Sequence, residues 1–148
     1  MTRTAQQAGR EHDFRLYTEV QHFYGRQMRF LDEGAVEQWA GTFAEDGVFE
    51  ANTLLQTGRP AIENGARETT AKLEASGLQR RHWLGMLEVQ EQPDGTVLAK
   101  TYAIVYTTPR GGKPAADFSC SCQDVLARGD GEFQVLRREV RRDDLSAA

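Results

Sequence analysis

Beyond Gly77 the chain breaks into four long extended segments separated by turns, and this constrains the fold more than any other feature. Arg80–Gln92, Thr96–Thr108, Ala116–Arg128 and Glu132–Arg142 have strand length, and the second is dense in Val, Ile, Thr and Tyr. Pro93-Asp94-Gly95, the Gly/Pro loop Pro109–Pro114 and Gly129-Asp130-Gly131 mark the turns between them. Such connections make a meander of antiparallel strands.

The first half is helical in pattern. Leu16 or Tyr17, Val20, Phe23 or Tyr24, Met28 and Leu31 recur at helical spacing and predict a helix over Phe14–Leu31. Gly34 separates it from a second helix, Ala35–Phe43, whose apolar stripe is Val36, Trp39, Ala40 and Phe43. Asp46-Gly47 turns the chain into a short strand, Val48–Ala51, and Asn52–Arg59 is a loop or a second short strand around Leu54-Leu55. Pro60 opens a third helix, Ala61–Ala75, which Ser76-Gly77 ends. Helices first and strands afterwards predict an α+β fold with the helices on one face of the sheet. Residues 1–12 lack periodicity and are expected to fray, 13–144 form one domain, and 145–148 are a tail.

The strands carry large apolar residues on both faces. Strict alternation puts His82, Leu84, Met86 and Glu88 on one face and Trp83, Leu87 and Val89 on the other. One face holds the helices. A second copy of the chain is the economical cover for the other, which predicts a homodimer.

Composition excludes several functions. A net charge of −4 over 148 residues offers no basic excess for nucleic-acid backbones. No apolar run approaches the roughly 20 residues of a membrane span. The polar start, Met1–Asp13, lacks a leader's apolar centre, so a cytoplasmic protein is expected. Cys120 and Cys122 stand at i and i+2 on a strand, about 6.6 Å apart, too far for a good disulfide. With no second Cys/His pair near them they also make a poor metal site, and both are expected as buried apolar residues. Neither metal nor organic cofactor is expected.

Chemistry therefore rests on histidines and carboxylates. No phosphate loop, nucleophile elbow or repeat is present. His12 lies in the frayed start and His22 among charged residues, whereas His82 opens a long strand on an apolar side. A carboxylate beside a half-buried imidazole orients it for general acid–base work. Asp32, at the end of the first helix, is the best placed. Asp46 and Glu50 compete, but Asp46 is explained by its turn.

Taken in order, Leu31-Asp32-Glu33, Trp39, Phe43-Ala44-Glu45-Asp46-Gly47-Val48-Phe49, Gly58-Arg59-Pro60-Ala61-Ile62, Arg81-His82-Trp83-Leu84 and Val140-Arg141-Arg142-Asp143-Asp144 resemble the SnoaL-like branch of the nuclear transport factor 2-like superfamily. The resemblance runs from about Tyr17 to Asp144. It implies a cone-shaped α+β barrel, a curved antiparallel sheet around a pocket that the N-terminal helices close, and dimers through the sheet's outer face. Members include scytalone dehydratase, ketosteroid isomerases and polyketide cyclases, and the pattern looks closest to small proteins of bacterial aromatic polyketide pathways. In members like scytalone dehydratase an Asp and a His at the positions of Asp32 and His82 form the acid–base pair. A second pocket histidine of those members has no match here, and Tyr102, Tyr106 and Thr107 stand on the strand that would carry it. The resemblance implies cofactor-free dehydration, cyclisation or isomerisation of a polyketide-like small molecule, with Tyr17, Trp39, Leu84, Met86, Tyr102 and Tyr106 around the substrate. A similarity of Phe23–Val48 to the β subunits of ring-hydroxylating dioxygenases leaves an alternative, a non-catalytic assembly module with a filled pocket.

Overall fold

The computed structural model describes residues 3–145; the last three residues of the expected tail lie outside it. Helices α1 (Ala5–Asp32) and α2 (Val36–Ala40) lead into strands β1 (Phe43–Ala51) and β2 (Leu54–Thr57). Helix α3 (Arg59–Ala75) follows, and then strands β3 (Leu78–Glu91), β4 (Val97–Pro109), β5 (Ala115–Arg128) and β6 (Phe133–Arg142). The strands form one six-stranded sheet in the order β2-β1-β6-β5-β4-β3. The helices pack against this curved sheet, which stays open, with β2 and β3 at its edges.

The four long strands pair antiparallel, as the turns between them require. The sheet as a whole is mixed, because β1 runs parallel to β6. That corrects the wholly antiparallel sheet expected. The first strand returns to the sheet beside the last one, a long-range pairing that no local turn signals.

Two helix boundaries also differ from expectation. α1 starts at Ala5, so residues 5–12 are helical and not frayed. A capping box explains the early start: Thr4 Oγ1 accepts from the Gln7 N–H at 3.3 Å, and the Thr4 N–H donates to Gln7 Oε1 at 3.1 Å. His12 Nε2 also lies 2.8 Å from Glu91 Oε2, tying this end of the helix to β3. α2 stops at Ala40, and Phe43 already belongs to β1. A register shift between Phe43 and Val48 lets β1 begin early. Gly47 sits in that irregularity, where a Cβ would lie 2.9 Å from the Ala44 carbonyl oxygen.

The core lies between the helices and the sheet's inner face. Val20, Phe43, Ile62, Leu126 and Val135 are fully buried there. Strand β4 divides its faces cleanly. Val97, Ala99, Thr101, Ala103 and Val105 point inward and are buried, while Lys100, Tyr102, Ile104 and Tyr106 point outward. The inward residues are mostly small, so the helices do not fill the space above the middle of the sheet. Among the described residues no helix is long and apolar enough to cross a membrane.

Candidate active site

That unfilled space is a cavity of about 710 Å³ between α1, α3 and the sheet. Its size suits a ring-bearing small molecule. Met28, Trp39, Phe49, Leu84 and Phe118 supply apolar wall. Two polar groups interrupt it.

The first group joins α1 to β3. Asp32 is the last residue of α1, and Gly34, at φ 77°, turns the chain away beyond it. The carboxylate is thus free of helix packing and reaches the sheet edge. β3 is an edge strand, so the His82 N–H that points away from β4 has no strand partner. Asp32 Oδ2 accepts it at 2.9 Å. Asp32 Oδ1 meets the same residue's Nδ1 at 2.5 Å. An ionised carboxylate only accepts, so Nδ1 carries a proton, and in the neutral ring the lone pair is then on Nε2. Nε2 has no hydrogen-bond partner among the described residues and is not sealed from solvent, and His82 lines the cavity. Asp32 and His82 are mostly buried, with 8% and 20% of their side-chain surfaces exposed. Gln79 Nε2 donates to the Asp32 carbonyl at 3.1 Å and fixes the helix end.

The second group lies deeper. Arg138 of β6 donates from Nε to Asp124 Oδ1 at 2.9 Å and from Nη2 to Asp124 Oδ2 at 2.8 Å. Nη2 also donates to Gln27 Oε1 at 2.6 Å. Tyr24 O–H donates to Asp124 Oδ2 at 2.7 Å. Gln27 Nε2 donates to Thr42 Oγ1 at 2.7 Å, and that hydroxyl donates to the Trp39 carbonyl at 2.6 Å. Burial works against the charge of Arg138, yet Asp124 outweighs it, so the guanidinium stays protonated. Burial, and then Asp124, push the Tyr24 phenol well above its usual range, so it remains a neutral donor. Both Asp124 and Arg138 line the cavity.

Of the side chains expected around a substrate, Trp39 and Leu84 line the cavity. Tyr17, Met86, Tyr102 and Tyr106 do not. Tyr17 stands on the outside of α1, where its hydroxyl accepts from Gln21 Nε2 at 3.0 Å. Tyr102 and Tyr106 belong to the outward row of β4. Met86 is displaced by a bulge. β3 carries an extra residue between Gly85 and Glu88, and Met86 takes φ 52° there. The alternation therefore inverts, so Leu87 and Val89 join Leu84 against the core while Met86 turns outward.

Asp124, Arg138, Tyr24 and Gln27 were not singled out from sequence. Asp124 had a signal: with Cys120, Cys122 and Leu126 it forms an i, i+2 row, and an acid in an otherwise apolar row needs a buried partner. Arg138 had none, standing among Arg137, Arg141 and Arg142. Cys122 lies on the same row, and burial pushes its thiol up to about 11. Only the thiolate attacks alkylating reagents. In a Cys120→Ser background, iodoacetamide should therefore label Cys122 far more slowly at pH 8 than a free thiol. The rate should climb until about pH 11. Mass-monitored labelling as fast as glutathione's would refute this.

With this geometry in place, sequence and structure comparisons agree on the class. Residues 13–139 match the SnoaL-like domain, and the chain belongs to that family. A 1.8 Å structure of Aln2 from a Streptomyces species shares 37% identity at TM-score 0.83, over 88% of this chain and 93% of its own. ActVI-ORFA from Streptomyces coelicolor shares 36% at TM-score 0.83, over 89% and 98%. A protein from Catenulispora acidiphila, solved in complex with S-DNPA, shares 41% at TM-score 0.76, over 87% and 94%. Among curated proteins none matches the sequence.

Proposed function

We propose that this protein is a cofactor-independent acid–base enzyme working beside a carbonyl of a polyketide-type ring intermediate, as a dehydratase, cyclase or isomerase. The observation that carries this reading is the His82–Asp32 pair on the cavity wall, with Nδ1 bound to the carboxylate and Nε2 without a partner among the described residues. In the dehydration form, Nε2 removes a proton from the carbon between the carbonyl and a hydroxyl-bearing carbon. The electron pair moves onto the carbonyl oxygen as an enolate. Its return forms the carbon–carbon double bond and expels the hydroxyl group, which takes the proton back from Nε2 and leaves as water. Asp32 stays bonded to Nδ1–H throughout and keeps the ring aimed. The outward tyrosines take no part, so the ring that removes the proton also returns it.

Two further observations support a small-molecule enzyme over an assembly module. The cavity is open where a module's would be filled. A relative 41% identical was solved with S-DNPA bound. The direct test is to incubate the pure protein with cyclic β-hydroxy ketones and follow product mass. Loss of one water, rearrangement without mass change, or ring closure is expected. No change with any such substrate at high enzyme concentration would defeat the reading.

The same reading includes a homodimer through the sheet's outer face. Trp83 and Tyr102 are 67% and 64% exposed there, and Trp83 stands opposite Ile104 in the register. A patch of this kind on a monomer would be left in water. Light scattering should give a dimer mass at micromolar concentration, and Trp83→Glu should shift it to monomer. A monomer mass for the unaltered protein would rule the dimer out.

A further inference from the structure

The deeper polar group has an unused donor. Arg138 commits Nε and Nη2 to Asp124 and Gln27. Nη1 has no hydrogen-bond partner among the described residues, yet it is not one of the sealed, unpartnered nitrogens. The side chain is otherwise buried, with 6% of its surface exposed, and it lines the cavity. The accessible part is therefore the Nη1 end, and the space it meets is the cavity. The guanidinium cannot swing away, because the rings of Tyr24 and Phe43 lie 5.8 and 5.4 Å from its carbon. Trp39, whose ring packs on Phe43 at 5.1 Å, adds a second unmet donor: its indole N–H is buried without a partner among the described residues. Donors left unpaired in a dry wall are costly unless a ligand supplies the acceptor.

Taking the cavity as the substrate site, as proposed above, we propose that Arg138 Nη1 is an anchoring subsite for a neutral carbonyl oxygen on an elongated, fused-ring substrate whose other end lies at His82. Charge decides for a carbonyl over a carboxylate. Asp124 already neutralises the guanidinium at hydrogen-bond distance, and a second full negative charge in that enclosed space would be repelled by it. Register decides for length. His82 pairs with Val105, and Arg138 reaches Ala99 through Asp124, six positions along β4. At about 3.3 Å per residue the two rungs stand roughly 20 Å apart. Inward-reaching side chains shorten that span. Thr101 and Ala103 between the rungs are small enough to let a flat ring system lie across the sheet.

The test uses 9-fluorenone, which carries one carbonyl, and fluorene, the same ring system without it. In a crystal of the unaltered protein with fluorenone, the carbonyl oxygen should lie within about 3.2 Å of Arg138 Nη1. Titration should give fluorenone an advantage over fluorene of about tenfold or more. The preference should vanish in Asp124→Leu/Arg138→Met, which removes the buried charges and the donor together, and should persist in His82→Ala. A carbonyl pointing elsewhere in the crystal would overturn the subsite even if the double variant failed to fold. So would a preference that survived in a folded double variant, or one lost in His82→Ala. A preserved preference in a protein that turns over no hydroxy ketone would support the subsite while defeating the enzymatic reading.

Discussion

His82→Ala should cut turnover of a cyclic hydroxy ketone by about 10²–10⁴-fold, the usual contribution of a positioned base. Folding should be little changed. The imidazole lies on a cavity wall, so truncation enlarges existing space and opens no new void in the packed core. Asp32 keeps the His82 backbone N–H at 2.9 Å, so its carboxylate is not left without a partner. Asp32→Asn should preserve that backbone contact through its amide oxygen while losing the charge that aims the ring. Its cost should fall on kcat more than on KM. Near wild-type kcat/KM in His82→Ala would remove His82 as the base. A defect in Asp32→Asn that appeared only as lost thermal stability would reduce the pair to a clamp between α1 and β3.

Asp124→Ala should be the most damaging single change to stability, at about 3–5 kcal/mol. The cost comes from what remains. Arg138 stays charged and buried with its main partner gone, and Tyr24 loses its acceptor. Against a typical stability of about 5–15 kcal/mol, such a loss takes much of the fold's margin. Asp124→Leu combined with Arg138→Met should be milder than Asp124→Ala, because replacing both charges with apolar volume removes the desolvation problem. Urea midpoints would show the order. Asp124→Ala within about 1 kcal/mol of wild type would mean that water reaches the guanidinium and shares its charge.

The elements that depend on local pattern were legible in the sequence. The long strands follow from alternation and turn residues, and α3 from its proline start. Asp32 and His82 could be paired because Asp32 ends its helix, where a side chain escapes the packed stripe, and His82 stands on an apolar row early in its strand. What could not be seen depends on non-local geometry. The parallel return of β1 to β6 joins residues far apart in the chain. The bulge at Gly85–Glu88 moves Met86 outward, and its one local mark is Gly85 inside the strand. Arg138 is hidden because a buried arginine and a solvated one look alike until the partner carboxylate across the strand is known. Tyr102 and Tyr106 were expected in the pocket, yet each lies one position from an inward residue, and on a strand one position is the whole difference.

That division of β4 limits how the protein can change. Its odd-numbered residues from Thr101 to Val105 line the cavity, and its even-numbered residues from Tyr102 to Tyr106 form the outer face. Substitutions can tune either set without disturbing the other, so the cavity and the outer face can diverge separately. A single inserted residue within the strand cannot be so selective. Unless a bulge took it up, it would exchange the two sets beyond the insertion, putting tyrosines into the cavity and alanines on the outer face. A one-residue change of length in this strand thus needs a bulge to absorb it, as the extra residue of β3 has.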